Sequence, residues 1–432
     1  MLRSGRTTRR GFLRQSAAAA AAPLFLPAAV ARAAGGTAPN ERITMGFIGV
    51  GKQSYGHVRT FASRSDVQIL ALCDVQETKR QSALEAVRQA YSGREGATSG
   101  GTAVDVYNDF RDLIAHGGID AVVIGTPDHW HAIPTIETAK AGMDIYCEKP
   151  LSLTIGEARA MVDAVRRYDR VFQTGSQQRS SREFRFACEM VRSGRIGELK
   201  SINVNVGGPS EDCDLPEEPV PEGVDWNMWL GPAPWRPYHS ILCPPPSFTG
   251  FPHWRRYKDY SGGGMTDWGA HHFDIAQWGM GTDDTGPVEI LPPDGKDVER
   301  LTYKYASGVV VYHGGGGNGV VFHGTEGKIE VNRGRLQSWP AELMQAPTGP
   351  DEVHLYESPG HHEDWVRAIR SRQRPICDVE TGARSVSVCH LGNLAYWLGR
   401  PLRWNPVQEE FIGDPEANRW LDRPNREPWR LG

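Results

Sequence analysis

Three short stretches carry residue types that do chemistry once a fold brings them together. Gly49-Val50-Gly51-Lys52-Gln53-Ser54-Tyr55-Gly56 follows an apolar run, Glu148-Lys149-Pro150 follows another, and the Gly262 to His272 stretch places Asp267 and His271 four residues apart. Glycines between a strand and a helix let backbone turn tightly and approach a pyrophosphate at the helix N-terminus, so Gly49 and Gly51 read as a dinucleotide loop. Ser54 stands where the third glycine of such a loop is expected, with Gly56 two residues later. Asp74 closes the next apolar run, 25 residues after Gly49. An acid there accepts hydrogen bonds from ribose hydroxyls and repels a 2'-phosphate, which favours NAD over NADP, although Lys79 and Arg80 follow closely. Lys149 is one of only nine lysines in the chain, and it follows a strand at the edge where ligands of such folds bind. A partly desolvated lysine there can hydrogen-bond a hydroxyl and serve proton transfer. Asp267 and His271 would share one face of a helix, and a histidine oriented by a carboxylate can take the proton of a carbinol during hydride transfer. Bland alternatives stand beside these: a salt-bridged Glu-Lys strand end, a surface i,i+4 ion pair, or a metal site from Asp267, His271, His272 and Asp274, whose spacing matches no standard zinc pattern.

The elements that must position these residues are written in the hydrophobic pattern. Apolar runs at 43–48, 67–73, 121–124, 144–147 and 171–174 alternate with helical periodicity at 57–63, 76–91, 110–115, 133–141 and 155–168. Such alternation predicts parallel strands joined by crossover helices, a Rossmann-type doubly wound sheet. After a helix at 182–193, period-two runs at 202–206, 301–305, 309–312 and 329–331 predict a second, α+β domain built on a mostly antiparallel sheet, with late helices at 363–371 and 382–398. The division expected is a dinucleotide domain over 41–175, a substrate and oligomerisation domain over 176–405, and a tail over 406–432 that runs over another element or subunit. A Gly- and Ser-rich insertion at 92–102 shows no chemistry of its own, and acidic and Pro-rich loops at 211–222 and 243–252 interrupt the antiparallel pattern. Twelve of the thirteen tryptophans lie at or after Trp226, and only Trp130 precedes them.

With these segments in order, the chain resembles the Gfo/Idh/MocA family of dehydrogenases. The resemblance rests on the Gly49 loop, Thr126-Pro127-Asp128-His129-Trp130-His131, Glu148-Lys149-Pro150 and the Asp267 to His271 segment, and it spans most of the chain after the N-terminus. It implies that Lys149, Asp267 and His271 work together at a nicotinamide: His271 as general base, Lys149 polarising the hydroxyl, Asp267 orienting the pair. It further implies cofactor contacts from Thr126, Pro127, His131, Glu148 and Arg179, a cis Lys149-Pro150 bond, and a homodimer or homotetramer. Ser54 is the clearest departure from the family pattern. The Asp225 to Pro232 segment, His361, His362 and His390 look like features of exported bacterial members, or like aromatic and histidine packing.

Composition narrows the rest. Hydrophobic residues make up 39% and charged residues 23% of 432, which excludes coiled coil, collagen and wholesale disorder. Arg3, Arg6, Arg9, Arg10, Arg14 and Arg32 lie without an acid among the first 33 residues, where Thr8 to Arg14 matches the twin-arginine export pattern ahead of an alanine-rich run. Cleavage between Arg32 and Ala34 takes the formal charge from −4 to −10 with the loss of those six arginines, which disfavours nucleic acid or an anionic membrane as partner and suits a neutral substrate. The seven scattered cysteines imply neither a disulfide framework nor a metal site. Twin-arginine machinery carries folded proteins, so a cofactor can be bound before export. The expectation is therefore a periplasmic or secreted oxidoreductase acting on a sugar, polyol or glycoside carbinol with tightly held NAD. The alternatives are a redox-neutral, NAD-dependent glycosidase acting by transient oxidation, and a non-catalytic carbohydrate-binding protein.

Overall fold

The computed structural model describes residues 41–92, 103–245, 247–345 and 348–431. The export signal expected at 1–33 and all of the 92–102 insertion but Ser92 lie outside them.

Six short strands, all but the third with their apolar residues largely buried, form the first sheet: β1 (Ile43–Ile48), β2 (Val67–Cys73), β3 (Asp105–Tyr107), β4 (Ala121–Ile124), β5 (Asp144–Cys147) and β6 (Phe172–Thr174). They run in parallel in the order β3-β2-β1-β4-β5-β6, the doubly wound arrangement that the alternating pattern predicts. β3 escaped the sequence reading because it is three residues long and mostly exposed, so it carries no apolar run. The crossovers are α1 (Lys52–Ala62), α2 (Glu77–Ser92), α3 (Phe110–Ile114), α4 (Ala132–Lys140) and α5 (Ile155–Arg167). Thr154 caps α5 by accepting a hydrogen bond from Glu157 N, and the Glu157 carboxylate accepts one from Leu153 N. α1 begins five residues before the expected start because Lys52, Gln53 and Ser54 are already helical.

The second sheet has nine strands in the order β13-β12-β11-β7-β10-β9-β8-β14-β15. They are β7 (Leu199–Asn205), β8 (Glu289–Leu291), β9 (Thr302–Lys304), β10 (Val310–His313), β11 (Gly319–Gly324), β12 (Lys328–Asn332), β13 (Arg335–Trp339), β14 (Leu402–Asn405) and β15 (Glu410–Phe411). All neighbours are antiparallel except β7 and β10, which pair in parallel. One face is covered by α6 (Arg182–Arg192), by α9 (Gly269–Met280) and by α11 (Val379–Leu398).

Packing crosses the linear division of the chain. α11 buries Val379, Ala383 and Val386 in the core of the parallel sheet and Val388, Leu391 and Leu394 in the core of the second. α10 (His361–Ser371) inserts Trp365, Val366 and Ile369 beside β1 and α1. The tail returns to the first domain of the same chain, where Trp429 lies 4.7 Å from Trp130 and 6.1 Å from Phe110.

Candidate active site

A cavity of about 790 Å³ runs from the Gly49 loop along the carboxyl ends of the parallel strands to α9. This is the edge where open α/β sheets bind ligands.

At one end the backbone fits a dinucleotide. Gly49 has φ +78°, and a Cβ there would stand 2.7 Å from Thr126 N, so no other residue fits. Gly51 caps α1 without a side-chain bond, and a Cβ there would meet nothing within 4 Å, which leaves the helix N-terminus open to the cavity. Ser54 does not line the cavity. It is fully buried, and its Cβ would come within 2.5 Å of any Cβ at Gly125, so the close helix–strand approach is kept by a glycine on the facing strand end. That relocated glycine accounts for the departure at Ser54. Asp74 accepts hydrogen bonds from Val50 N and Gln76 N at 2.9 Å each, which locks its carboxylate at the end of β2 against the cavity wall. Arg80 turns away to Asp74 O and Asn108, whereas Lys79 lines the cavity. Thr126 and Pro127 line it too, and the buried Thr126 Oγ1 has no partner within the protein, the kind of orphan a ligand satisfies. These features together fit a nicotinamide dinucleotide.

Two residues expected at the cofactor do other work. His131 is buried beneath the site with its ring nitrogens 2.8 Å from Pro150 O and 3.0 Å from Thr126 O, so it ties two site turns together without lining the cavity. Arg179 corrects the expectation outright: it is 2% exposed and spends its guanidinium on Asp274 (2.8 Å) and Asp283 (2.7 Å) behind α9. The neighbouring Gln178 faces the site instead. With its amide turned to satisfy both neighbours, it donates to His271 O at 2.9 Å and accepts from Arg333 Nε at 3.2 Å.

At the other end Lys149, Asp267 and His271 converge. Lys149 follows β5 through a cis Lys149-Pro150 bond, and its Nζ donates to Asp267 Oδ1 at 2.7 Å and to Asp267 O at 2.9 Å. Burial opposes ionisation of Asp267, but Lys149 and Arg255 hold its carboxyl below the usual range. The expected single helix is broken at Trp268: α8 (Gly264–Asp267) ends there and α9 begins at Gly269. Asp267 consequently pairs with Lys149, and the hydrogen bond that would orient His271 is absent between them among the described contacts. His271 is 3% exposed with Nδ1 unpartnered. Burial, then the charges of Lys149 and Arg333, push its basicity well below that of a free imidazole, so the ring is neutral rather than poised near neutrality as expected. Glu148 accepts from His57 Nε2 at 2.7 Å; burial opposes its ionisation, yet that bond and the charges of His57 and Lys149 hold it at about 2. His362 backs His57 at 2.9 Å, and His361 reaches Tyr146 at 3.1 Å. His390 bonds Ser152 O, so these late histidines are packing groups around the site.

The four-residue metal alternative is dispersed, since Asp274 faces Arg179 and His272 bonds Asn318 at 3.1 Å. The sequence reading missed Asp128, Arg255 and Arg333, all of which line the cavity. Asp128 accepts from Ser261 at 2.6 Å, and burial pushes its carboxyl up to about 7. Its place in the Thr126 to His131 motif was the available signal. Of the tryptophans, Trp130, Trp229, Trp254 and Trp268 line the cavity. The Pro-rich 243–252 loop, silent in sequence, folds over the glycine-loop end: Lys52 Nζ bonds Thr249 O and lies 4.7 Å over Phe251, and Gln76 donates to Pro244 O at 3.1 Å.

Comparison with known proteins agrees with this geometry. Residues 43–176 match the oxidoreductase family's NAD-binding Rossmann fold, and 208–431 match its C-terminal alpha/beta domain. A glycosyl hydrolase family 109 protein of Shewanella baltica is 29% identical over 208 residues, 44% of each chain. An alpha-N-acetylgalactosaminidase of Shewanella oneidensis is 31% identical over 161 residues, 37% of this chain and 34% of that one. The chain thus spans less than half the length of these relatives. Among solved structures, the aldose-aldose oxidoreductase of Caulobacter crescentus complexed with glycerol superposes with TM-score 0.57 at 17% identity over 84% of this chain and 99% of its own. Levoglucosan dehydrogenase in complex with NADH and levoglucosan gives 0.56 at 22% identity over 84% and 99%. Matched along both its domains and built on the same two sheets, the chain belongs to the Gfo/Idh/MocA family of oxidoreductases.

Proposed function

We propose that the chain oxidises a carbinol of a sugar, polyol or glycoside by hydride transfer to a tightly held NAD. The observation that carries this reading is the meeting of Lys149, Asp267 and His271 in one cavity with the Gly49 loop and Asp74. When bound, the nicotinamide supplies the hydride acceptor. The protein would hold it through Gly49, Gly51, Asp74 and Thr126, and the 243–252 loop would slow its escape. Lys149, fixed by Asp267, offers its remaining N–H to the reacting hydroxyl, and neutral His271 takes the hydroxyl proton. Asp74 favours NAD over NADP through ribose contacts, with Lys79 as the opposing charge. Aromatic faces at Trp229 and Trp254 supply apolar walls of the kind that stack on sugar rings.

The names of the relatives favour a second reading on the same residues: transient oxidation acidifies a neighbouring C–H, a glycosidic bond breaks by elimination, water adds across the double bond so formed, and the hydride returns. Export by the twin-arginine pathway is part of the proposal, and it explains why the cofactor should stay bound: free NAD is scarce outside the cytoplasm. Assembly as a homodimer or homotetramer is proposed from the family resemblance. The test is to purify the protein, look for bound nicotinamide by fluorescence, and offer monosaccharides and glycosides without added NAD. Turnover that needs a carbonyl acceptor supports net oxidoreduction. Release of a sugar from a glycoside without net redox change supports the glycosidase reading. Failure to retain or bind NAD refutes both and leaves a non-catalytic binding protein.

A further inference from the structure

The substrate end of the cavity carries more positive charge than its own chemistry uses. Lys149, Arg255 and Arg333 line it, and Asp267 is the carboxylate they face, at 2.7 Å from Lys149 and 3.6 Å from Arg255. Glu148 also reaches the wall but is engaged by His57, and Asp128 is held by Ser261. Glu148 and Asp128 add negative charge to the same wall, so what sets this end apart is the pairing rather than the sum: one of the three cations has no carboxylate partner among the described residues.

Arg333 is that cation. It stands at the turn between β12 and β13, and no carboxylate is within salt-bridge distance of it among the described residues. It is nevertheless placed: its guanidinium lies 4.9 Å over the Trp268 ring, and its Nε is held by the buried Gln178, which also grips the backbone of His271. Stacking on one side and Nε fixed on another leave the terminal N–H groups as the free donors of a pre-organised fork. An ordinary surface arginine has neither tether and samples many rotamers. Arg255 is stacked likewise, 4.2 Å over Trp254 and 5.2 Å over Phe251.

We propose that Arg333 selects a sugar acid, a uronate or aldonate whose carboxylate it binds while a carbinol of the same molecule lies at Lys149 and His271. A substrate carboxylate supplies the partner that the described residues do not give Arg333. Burial and then the charge of Lys149 depress the basicity of His271 most; Arg333 adds to them, and pairing it with a carboxylate removes only that smaller contribution. This assignment rests on the proposed oxidoreductase reading and reverses the neutral-substrate expectation drawn from net charge, because local charge at the site outweighs the mean charge of the surface.

The test is a titration of the full chain, loaded with NAD⁺, by glucuronate against glucose and by galacturonate against galactose, followed by calorimetry. The wild type should bind at least one uronate about tenfold or more tightly than its neutral partner. Arg333→Ala should erase that preference while leaving affinity for the neutral sugar within about twofold, and Arg333→Lys should restore part of it. No uronate preference in the wild type, a preference that survives in Arg333→Ala, or an equal loss for both sugars overturns the assignment, as does binding of neither class. A chain that binds no NAD⁺ instead breaks the oxidoreductase reading, and the same titration without cofactor still decides the role of Arg333.

Discussion

Asp267 and Asp274 lie on consecutive helices of one segment, and each accepts a cation at 2.7–2.8 Å, yet they belong to different parts of the protein's physics. Asp274 and Arg179 are 1–2% exposed at the side chain, and every strong valence is filled: Arg179 binds it bidentately and reaches Asp283, and Ser385 donates to Asp274 at 2.6 Å. Lys149 and Asp267 are 16% and 25% exposed, face the cavity, and leave Lys149 with a spare donor. The first pair fixes how α9 sits against Arg179. The second is left incomplete, and an incomplete pair at a sheet edge is what a substrate hydroxyl can finish. Ion-pair distance does not separate structure from chemistry here; residual hydrogen-bonding capacity and access do.

The largest effect should come from the exposed pair. Lys149→Ala and His271→Ala should each lower kcat by roughly 10²–10⁴ while NAD stays bound, as expected for loss of a positioned proton-transfer group. Lys149→Ala should cost less than about 2 kcal/mol of stability, because Arg255 remains beside Asp267 and the pair is partly solvated. Equal losses of activity and folding would erase the distinction. The buried pair should behave the opposite way: Arg179→Ala strands Asp274 and should cost about 3–5 kcal/mol in denaturant unfolding, and any molecules still folded should turn over near the wild-type rate.

A smaller effect concerns buried histidines on both sides of the site. Burial lowers His129 to about 3 and both His272 and His390 to about 4. An unfolded histidine takes up a proton near 6.5 that the folded one refuses, so stability is full above that value and falls on acidification toward 4, by up to about 1.4 kcal/mol per pH unit for each group. Asp128 works in the other direction, since its raised value favours the folded state more at low pH and gives up that advantage as pH rises from about 4 toward about 7. The histidines outnumber it, so melting temperature should drop between pH 6.5 and 5; a flat profile would contradict their burial as neutral rings. The smallest effect is at the relocated glycine. Ser54→Gly should change stability by about 1 kcal/mol or less and NAD affinity by under about threefold, whereas Gly125→Ala should damage both, because its Cβ would meet Ser54 at 2.5 Å.

The strand-forming runs and the glycine loop were legible because they are local patterns: buried parallel strands read as continuous apolar stretches, and a turn that needs Gly49 shows it in one residue. The site's motif residues were legible for the same reason. Arg179 and Gln178 show where legibility ends. Adjacent in sequence on a short turn, they engage different residues of α9, Arg179 the carboxylate of Asp274 and Gln178 the backbone of His271, so a basic residue next to a motif looked like a ligand contact while the amide beside it did the positioning. Arg255 and Arg333 were hidden because they come from a loop and a hairpin turn brought to the cavity by tertiary packing. The break at Trp268 was hidden because four-residue spacing fits a helix and, equally, a helix interrupted there.

The role of His271 as proton acceptor is decided by one comparison of the loaded protein. Wild type and His271→Ala, each purified and shown to carry the same amount of NAD⁺, are mixed with substrate sugar without added cofactor, and the absorbance of reduced nicotinamide is followed through a single turnover. The wild type should reduce its bound cofactor, and the variant should do so at least about a hundredfold more slowly. Equal rates in the two proteins would contradict the role given to His271.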